Sequence, residues 1–266
     1  MKIKFKKSFI IILILTIIIF LSLKITKFLL YHEYNIKKFG NKIDKGIVIT
    51  FHGIYGESED MKIITEILEN KGYAGINIQY PTTEGTIEEI TEKYISKQIT
   101  LLDEIVEKEN VRRQKKNLPE IKLNFVVHSL GSVILRYYLK THKIKNLGKT
   151  VFISPPAHGS QLADFPISDF IKGTLGEAVA QFKTSSTSFV NTLGEPEYDC
   201  YIIIGKKSNN FLYSMIIPGD DDGMVPFKTS RLNNCKYKVF ENDTHTSILK
   251  NEKAINEIID YLENYK

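Results

Sequence analysis

Asn124-Phe125-Val126-Val127-His128-Ser129-Leu130-Gly131-Ser132 is the stretch that decides the fold of this 266-residue chain. An apolar run leads into it from Ile121, and Val133, Ile134 and Tyr137 follow on one side of a helix. Ser129 therefore stands at a sharp turn between a strand and a helix. A serine hydroxyl is a weak nucleophile at neutral pH. To react it needs exposure at a tight turn, a base for its proton, and N–H donors for the oxyanion. Gly131, two residues on, lets the turn close, and the Leu130 N–H supplies one donor.

Outward from this turn, strands and helices alternate. Gly46 to Phe51 and Ala74 to Tyr80 read as strands, the second closed by Pro81. Between them Ser58 is the expected cap of a helix carrying Met61, Ile64, Ile67 and Leu68, stopped by Gly72. Thr86 and Glu89 have the spacing of a capping box for a long helix through Ile90, Tyr94, Ile99, Leu102 and Val106. The basic stretch Arg112 to Asn117 is expected as a surface loop. Later strands are expected near Thr150 to Ser154, Tyr201 to Gly205 and Lys236 to Phe240, with Ile255 to Tyr261 in a closing helix. Such alternation implies one α/β domain with a mostly parallel sheet covered by helices on both faces. Internal repeats are absent from the sequence.

Ligands of open parallel sheets bind beyond the carboxyl ends of the strands. Four segments of this sequence sit there. His52-Gly53-Ile54-Tyr55-Gly56 follows the first strand and His128-Ser129-Leu130-Gly131 the central one. Asp220-Asp221-Asp222-Gly223-Met224-Val225-Pro226 and Asp243-Thr244-His245-Thr246 come late in the chain. The order is serine, acid, histidine.

From Gly46 to the C-terminus the chain resembles the α/β-hydrolase superfamily, and within it the bacterial lipase-like serine esterases. The likeness rests on the His52-Gly53 turn, the His128-Ser129-Leu130-Gly131 elbow and the Asp222-Gly223-Met224-Val225 turn. It implies Ser129 as nucleophile, His245 as general base and Asp222 as the acid that orients the base. It also implies that the backbone N–H groups of Ile54 and Leu130 form the oxyanion hole. Tyr55 and His158 are the candidate substrate contacts, His158 lying in Ser154-Pro155-Pro156-Ala157-His158-Gly159-Ser160, which is similar to a loop of those lipases. The implied activity is hydrolysis of a carboxylic ester, from lipids or related acyl esters, without a metal or other cofactor. An acyltransferase on the same scaffold and a non-catalytic surface binding protein are the alternatives.

Each residue also has a plainer reading. Ser129 is in a position that suits a helix N-cap. Asp220 and Asp221 compete with Asp222 for the acid, and three adjacent carboxylates also suit a solvated turn or a weak calcium site. His52 and His128 read as structural, and His158 suits a surface loop as well as a pocket wall. One position departs from the family's elbow: Val127 stands two before the serine, where a small residue is usual. The apolar residues between Gln161 and Asn191, Phe165, Phe170, Ile171, Leu175, Phe182 and Phe189 among them, suit either a small cap (161–196) or ordinary core.

At the N-terminus, Lys2, Lys4, Lys6 and Lys7 precede an apolar run from Phe9 to Leu23 that continues, past Lys24 and Lys27, to Leu30. The run reads as a membrane anchor and transmembrane helix over 1–30, with a linker at 31–44 and the catalytic domain at 45–266. A cleavable signal is the rival, but no small-residue cleavage site follows the run. The lysine load places the N-terminus in the cytoplasm and the domain outside, membrane-anchored. Much of the net charge of +5 lies in this segment, so no nucleic-acid partner is expected. Cys200 and Cys235 each open an expected strand. Two buried thiols are the favoured reading and a disulfide the alternative.

Overall fold

The computed structural model describes residues 2–166 and 173–264, with side chains in the first helix described at 12 and from 14 onward. Seven strands form one sheet in the order β1-β3-β2-β4-β5-β6-β7. They are β1 (Asn35–Phe39), β2 (Ile47–Phe51), β3 (Ala74–Gln79), β4 (Leu123–His128), β5 (Leu147–Ile153), β6 (Cys200–Gly205) and β7 (Lys236–Phe240). β1 runs antiparallel to β3, and every other pairing is parallel. β2, β4 and β6 are buried along their whole length, as expected for strands covered on both faces.

Among the described residues the α-helices are α1 (Lys2–Leu29), α2 (Lys62–Asn70), α3 (Ile87–Ile90), α4 (Ser96–Lys115), α5 (Leu130–Thr141), α6 (Gln161–Asp164), α7 (Phe189–Thr192), α8 (Phe211–Ser214) and α9 (Glu252–Asn264). Two apolar cores lie on opposite faces of the sheet. One joins Ile49, Phe51, Phe125, Val127 and Phe152 to Ile90, Ile99, Val133 and Ile134 of the helices from α3 to α5. The other joins Val48, Val126, Val151 and Ile203 to Ile64 and Leu68 of α2 and Ile255, Ile258 and Ile259 of α9. Residues alternate between the cores because successive strand side chains point to opposite faces.

Thr86 caps α3 with the expected reciprocal box: its side chain accepts from the Glu89 N–H, and its N–H donates to the Glu89 carboxylate. Four other readings change. The helical run before α2 starts at Ser58, and the capping position is Glu57, whose N–H donates to Asp60. Arg112 to Lys115 belong to α4 and do not form a loop. Arg113 is buried and donates to the carbonyls of Pro119 and Asp44, which tethers the basic turn to the body. Within the stretch read as a linker, Asn35 to Phe39 form the edge strand β1. Two lysines among five residues, three exposed and two half-buried, blur the alternation there. Finally, Cys200 and Cys235 are joined in a disulfide, with Cα atoms 4.9 Å apart. Both lie at the amino-terminal ends of neighbouring parallel strands, so the pairing of β6 with β7 brings them together.

α1 is a single helix of 28 residues. Its described apolar side chains, from Ile12 through Leu21 and at Ile25, Phe28 and Leu29, are exposed. Among the described residues, no helix is long and apolar enough to cross a membrane; the start of the expected span, Phe9 to Ile11 with Leu13, lies outside the described side chains.

Candidate active site

β2 lies between β3 and β4, so the chain leaves β2 in one direction and returns on its other side. The crevice at such a switch point is where an open sheet receives a ligand. Phe51 pairs with Val127 in the β2–β4 register, so His52 and His128 leave the sheet side by side and carry Gly53 and Ser129 with them.

Ser129 has φ 50° and ψ −116°, a strained conformation for a non-glycine residue. The turn is tied on both sides. The Ser129 N–H donates to the Ile153 carbonyl and the Ser132 N–H to the Ser129 carbonyl, each at 2.9 Å. Gly131 is where α5 crosses β2: a Cβ there would lie 2.8 Å from the Phe51 Cβ. Val127 does not obstruct the elbow, because its side chain enters the core with Phe51 and Phe125.

The three polar side chains implied by the family resemblance meet at this turn. His245 Nε2 lies 2.8 Å from Ser129 Oγ, and His245 Nδ1 lies 2.8 Å from Asp222 Oδ2. A carboxylate on Nδ1 selects the tautomer protonated there, leaving the Nε2 lone pair to accept from the serine hydroxyl. The Asp222 carbonyl also accepts the His245 N–H at 2.7 Å, fixing the histidine backbone. Asp222 Oδ1 accepts from the N–H groups of Met224 and Val225. Burial by itself raises the Asp222 carboxyl pKa. The His245 charge, the His245 hydrogen bond and those two N–H groups outweigh burial and hold it below its ordinary value.

The neighbouring acids are separated by the same turn. Asp221 accepts from the Gly223 N–H and the Ser214 hydroxyl, and Asp220 faces Lys206 at 3.1 Å. Neither is bonded to the histidine. Among the described residues no group of His, Cys, Asp or Glu is arranged to hold a metal ion.

Two buried histidines shape the first turn. His52 Nδ1–H donates to the Gly53 carbonyl at 2.8 Å, while its Nε2 accepts the Tyr80 N–H at 3.2 Å. The Tyr80 hydroxyl closes the loop on the His52 carbonyl at 2.6 Å. A Cβ on Gly53 would lie 2.9 Å from the Ser129 Cβ and 2.7 Å from His128 Nδ1, so only glycine lets this turn approach the serine so closely. That approach brings the next residue, Ile54, to the wall of the cavity that holds Ser129. Leu130 is the first residue of α5, where an N–H has no partner within the helix.

Ser129 and His245 lie in a cavity of about 300 Å³, walled by Ile54, Tyr55, Leu162, Phe182, Tyr213 and Met224 among others. Leu162, Phe165, Leu175, Val179 and Phe182 of the 161–196 segment line it, whereas Val190 is buried in the core and Phe189 packs against it. Part of the segment thus covers the site and part is ordinary core; Phe170 and Ile171 lie outside the described residues. Tyr55 lines the cavity, and its hydroxyl donates to the Leu175 carbonyl at 2.9 Å, tying the first turn to the cover.

His158 does not reach the cavity. It bonds Asn191 at 2.8 Å and faces Glu195 at 3.7 Å, because its loop turns away from the serine. Three contributors escaped the sequence reading. Thr82 accepts the Tyr55 N–H, Ser160 donates to the Met224 carbonyl, and buried Arg136 donates to the carbonyls of Ala157, Val190 and Gly194. Thr82 follows β3, so the strand-end rule that found the other loops applies to it too. Arg136, inside a helix, carries no comparable signal.

Residues 41–168 match the family described as "Putative serine esterase (DUF676)". Among solved structures, an esterase from Exiguobacterium antarcticum is similar with a TM-score of 0.58 at 15% identity, covering 87% of this chain and 96% of the other. An esterase from Pyrococcus furiosus reaches 0.55 at 16% identity over 90% and 94% of the two chains. A monoacylglycerol lipase from Paleococcus ferrophilus reaches 0.53 at 14% identity over 87% and 98%. The chain thus has the fold of these esterases and lipases, and residues 41–168 are similar to a serine esterase family.

Proposed function

We propose that this protein cleaves the carboxylic ester of an acyl lipid or a related acyl ester through Ser129, His245 and Asp222. The observation that carries the reading is the unbroken line from Asp222 Oδ2 through the His245 ring to Ser129 Oγ, two contacts of 2.8 Å within an apolar cavity.

His245 Nε2 takes the hydroxyl proton as Ser129 Oγ bonds to the ester carbonyl carbon. The negative charge that develops on the carbonyl oxygen is met by the N–H groups of Ile54 and Leu130. A comparable donor in another enzyme is worth about 2.7–4 kcal/mol. Collapse of the tetrahedral intermediate breaks the ester C–O bond, and the imidazolium returns its proton to the leaving alcohol. Water then attacks the acyl-enzyme with the same histidine as base, releasing the acid and restoring Ser129. Asp222 holds the tautomer and stabilises the imidazolium throughout.

The apolar walls support an acyl chain in preference to a polar substrate. Membrane anchorage through α1, with the hydrolase domain outside the cytoplasm, belongs to the same proposal. In support, the described apolar side chains of α1 other than Leu23 are exposed, lysines concentrate ahead of them, and a disulfide suits an oxidising compartment.

A fluorophosphonate probe tests the chemistry. It should label the wild-type protein and not Ser129→Ala. p-Nitrophenyl esters of increasing chain length should then be turned over with a preference beyond short acyl groups. Equal labelling of both proteins would remove Ser129 from the mechanism.

A further inference from the structure

The segment from Phe211 to Ile216 is turned two ways. Tyr213 and Ile216 line the cavity that holds Ser129, while Phe211, Leu212 and Met215 are 78%, 69% and 70% exposed. Asn210 caps the helix by accepting the Tyr213 N–H, and Ile217, which follows the segment, is buried and donates its N–H to the Tyr213 carbonyl. The outward side chains are thus held in place at the rim of the cavity. Phe165, which lines the same cavity, is 47% exposed.

A second observation places the end of α1 close to this cavity. Lys27, near the carboxyl end of α1, donates to the Gly173 carbonyl at 3.1 Å, two residues before Leu175 in the cavity wall. The point where α1 meets the domain is therefore beside the cavity cover, and α1 itself presents exposed apolar side chains. Exposed apolar side chains concentrate on a contact surface when they cluster, whereas scattered ones need no partner.

We propose that α8 and Met215 dock on a phospholipid bilayer, with Phe211, Leu212 and Met215 entering its acyl region beside α1, so that the cavity mouth opens onto the membrane surface. This inference rests on the ester-hydrolase reading for its use: a lipid ester then passes from the bilayer between Tyr213 and Phe165 to Ser129 without crossing bulk water.

The chain contains no tryptophan, so one introduced indole reports its own surroundings. The full-length Phe211→Trp protein is reconstituted into phosphatidylcholine vesicles with and without brominated acyl chains. Leu118→Trp, on the exposed loop preceding β4 at the opposite end of the strands, is the control. Phe211→Trp should shift to the blue and lose about half its emission or more to the bromines, as an indole buried among acyl chains does, while Leu118→Trp is unaffected. Equal emission loss in both, or none in either, overturns the docking; a rim that serves a protein partner gives the second result.

A kinetic arm completes the test. Replacing Phe211, Leu212 and Met215 together by serine should lower turnover of a vesicle-embedded ester by roughly tenfold and leave a soluble short-chain ester within about twofold. An equal loss on both substrates overturns the proposal. Quenching is measured again in the Ser129→Ala background, so failure of docking and failure of the hydrolase reading are seen separately.

Discussion

His128 Nε2–H donates to the backbone carbonyl oxygen of His245 at 2.8 Å, and the two rings lie with centroids 4.8 Å apart. The residue before Ser129 thus holds the loop that carries His245. Its other ring nitrogen would lie 2.7 Å from a Cβ on Gly53, so one buried imidazole is wedged between the base loop and the first-strand turn.

His128→Phe should therefore leave substrate binding intact and misplace the base. We expect kcat to fall by about tenfold with KM little changed, and stability to fall by about 1–3 kcal/mol from the orphaned carbonyl. His128→Gln keeps a donor and should recover part of both. Steady-state kinetics and urea unfolding measure the two effects. A fall in KM matching that in kcat would argue against a positioning role.

Acid should weaken the fold through His52 and His128. Burial pushes His52 down to about 4 and His128 down to about 3; the nearby His245 charge adds to the lowering of His128. Each folded-state pKa is below the unfolded value, so the unfolded chain binds more protons between them. Stability is then complete above about pH 6.5 and is lost as pH falls toward those folded values. At pH 5 the loss is roughly 2 kcal/mol for each histidine. Denaturant midpoints at pH 7.5 and 5 check the size, and His52→Gln should remove roughly half of the difference.

Asp222 and Asp221 should separate cleanly. Asp222→Asn leaves the amide free to favour the wrong tautomer of His245, and kcat should drop by roughly 10³–10⁴. Asp221→Asn disturbs only the contacts with Gly223 and Ser214, and activity should stay within about threefold while stability falls by about 1 kcal/mol. Reversal of the two results would reassign the acid.

The disulfide ties the sheet far from the chemistry. Cys200 and Cys235 are 35 residues apart in sequence and lie at the amino-terminal ends of their strands, opposite the edge that carries Ser129. Closing a loop of that length is worth about 4 kcal/mol in the chain-entropy description. Cys200→Ser with Cys235→Ser should lower stability by up to that amount and leave kcat unchanged at temperatures where the protein stays folded.

The site is legible in the sequence wherever it sits at the end of a strong strand. Buried parallel strands read as short apolar runs, and the loop leaving each of them has few places to go. Ser129, His245, His52 and Tyr55 can be located from the chain for that reason. Asp222 has to be chosen from three adjacent carboxylates by likeness to a family turn. The hydrogen bonds that distinguish it come from a histidine 23 residues away. His158 fails as a pocket residue because nothing in its local pattern says which way its loop turns. β1 escapes notice because an edge strand with two lysines lacks a buried face to write an alternation.

Local pattern, then, determined the order of strands and helices, the strained serine turn and the loops available for chemistry, since hydrophobic periodicity and turn residues act over a few neighbours. Only the tertiary structure decided which aspartate meets the imidazole, that two cysteines join, which parts of the 161–196 segment cover the cavity and which side chains are left at its rim. Those depend on the register and crossing of segments distant in the chain, and sequence spacing carries no record of distances set by packing.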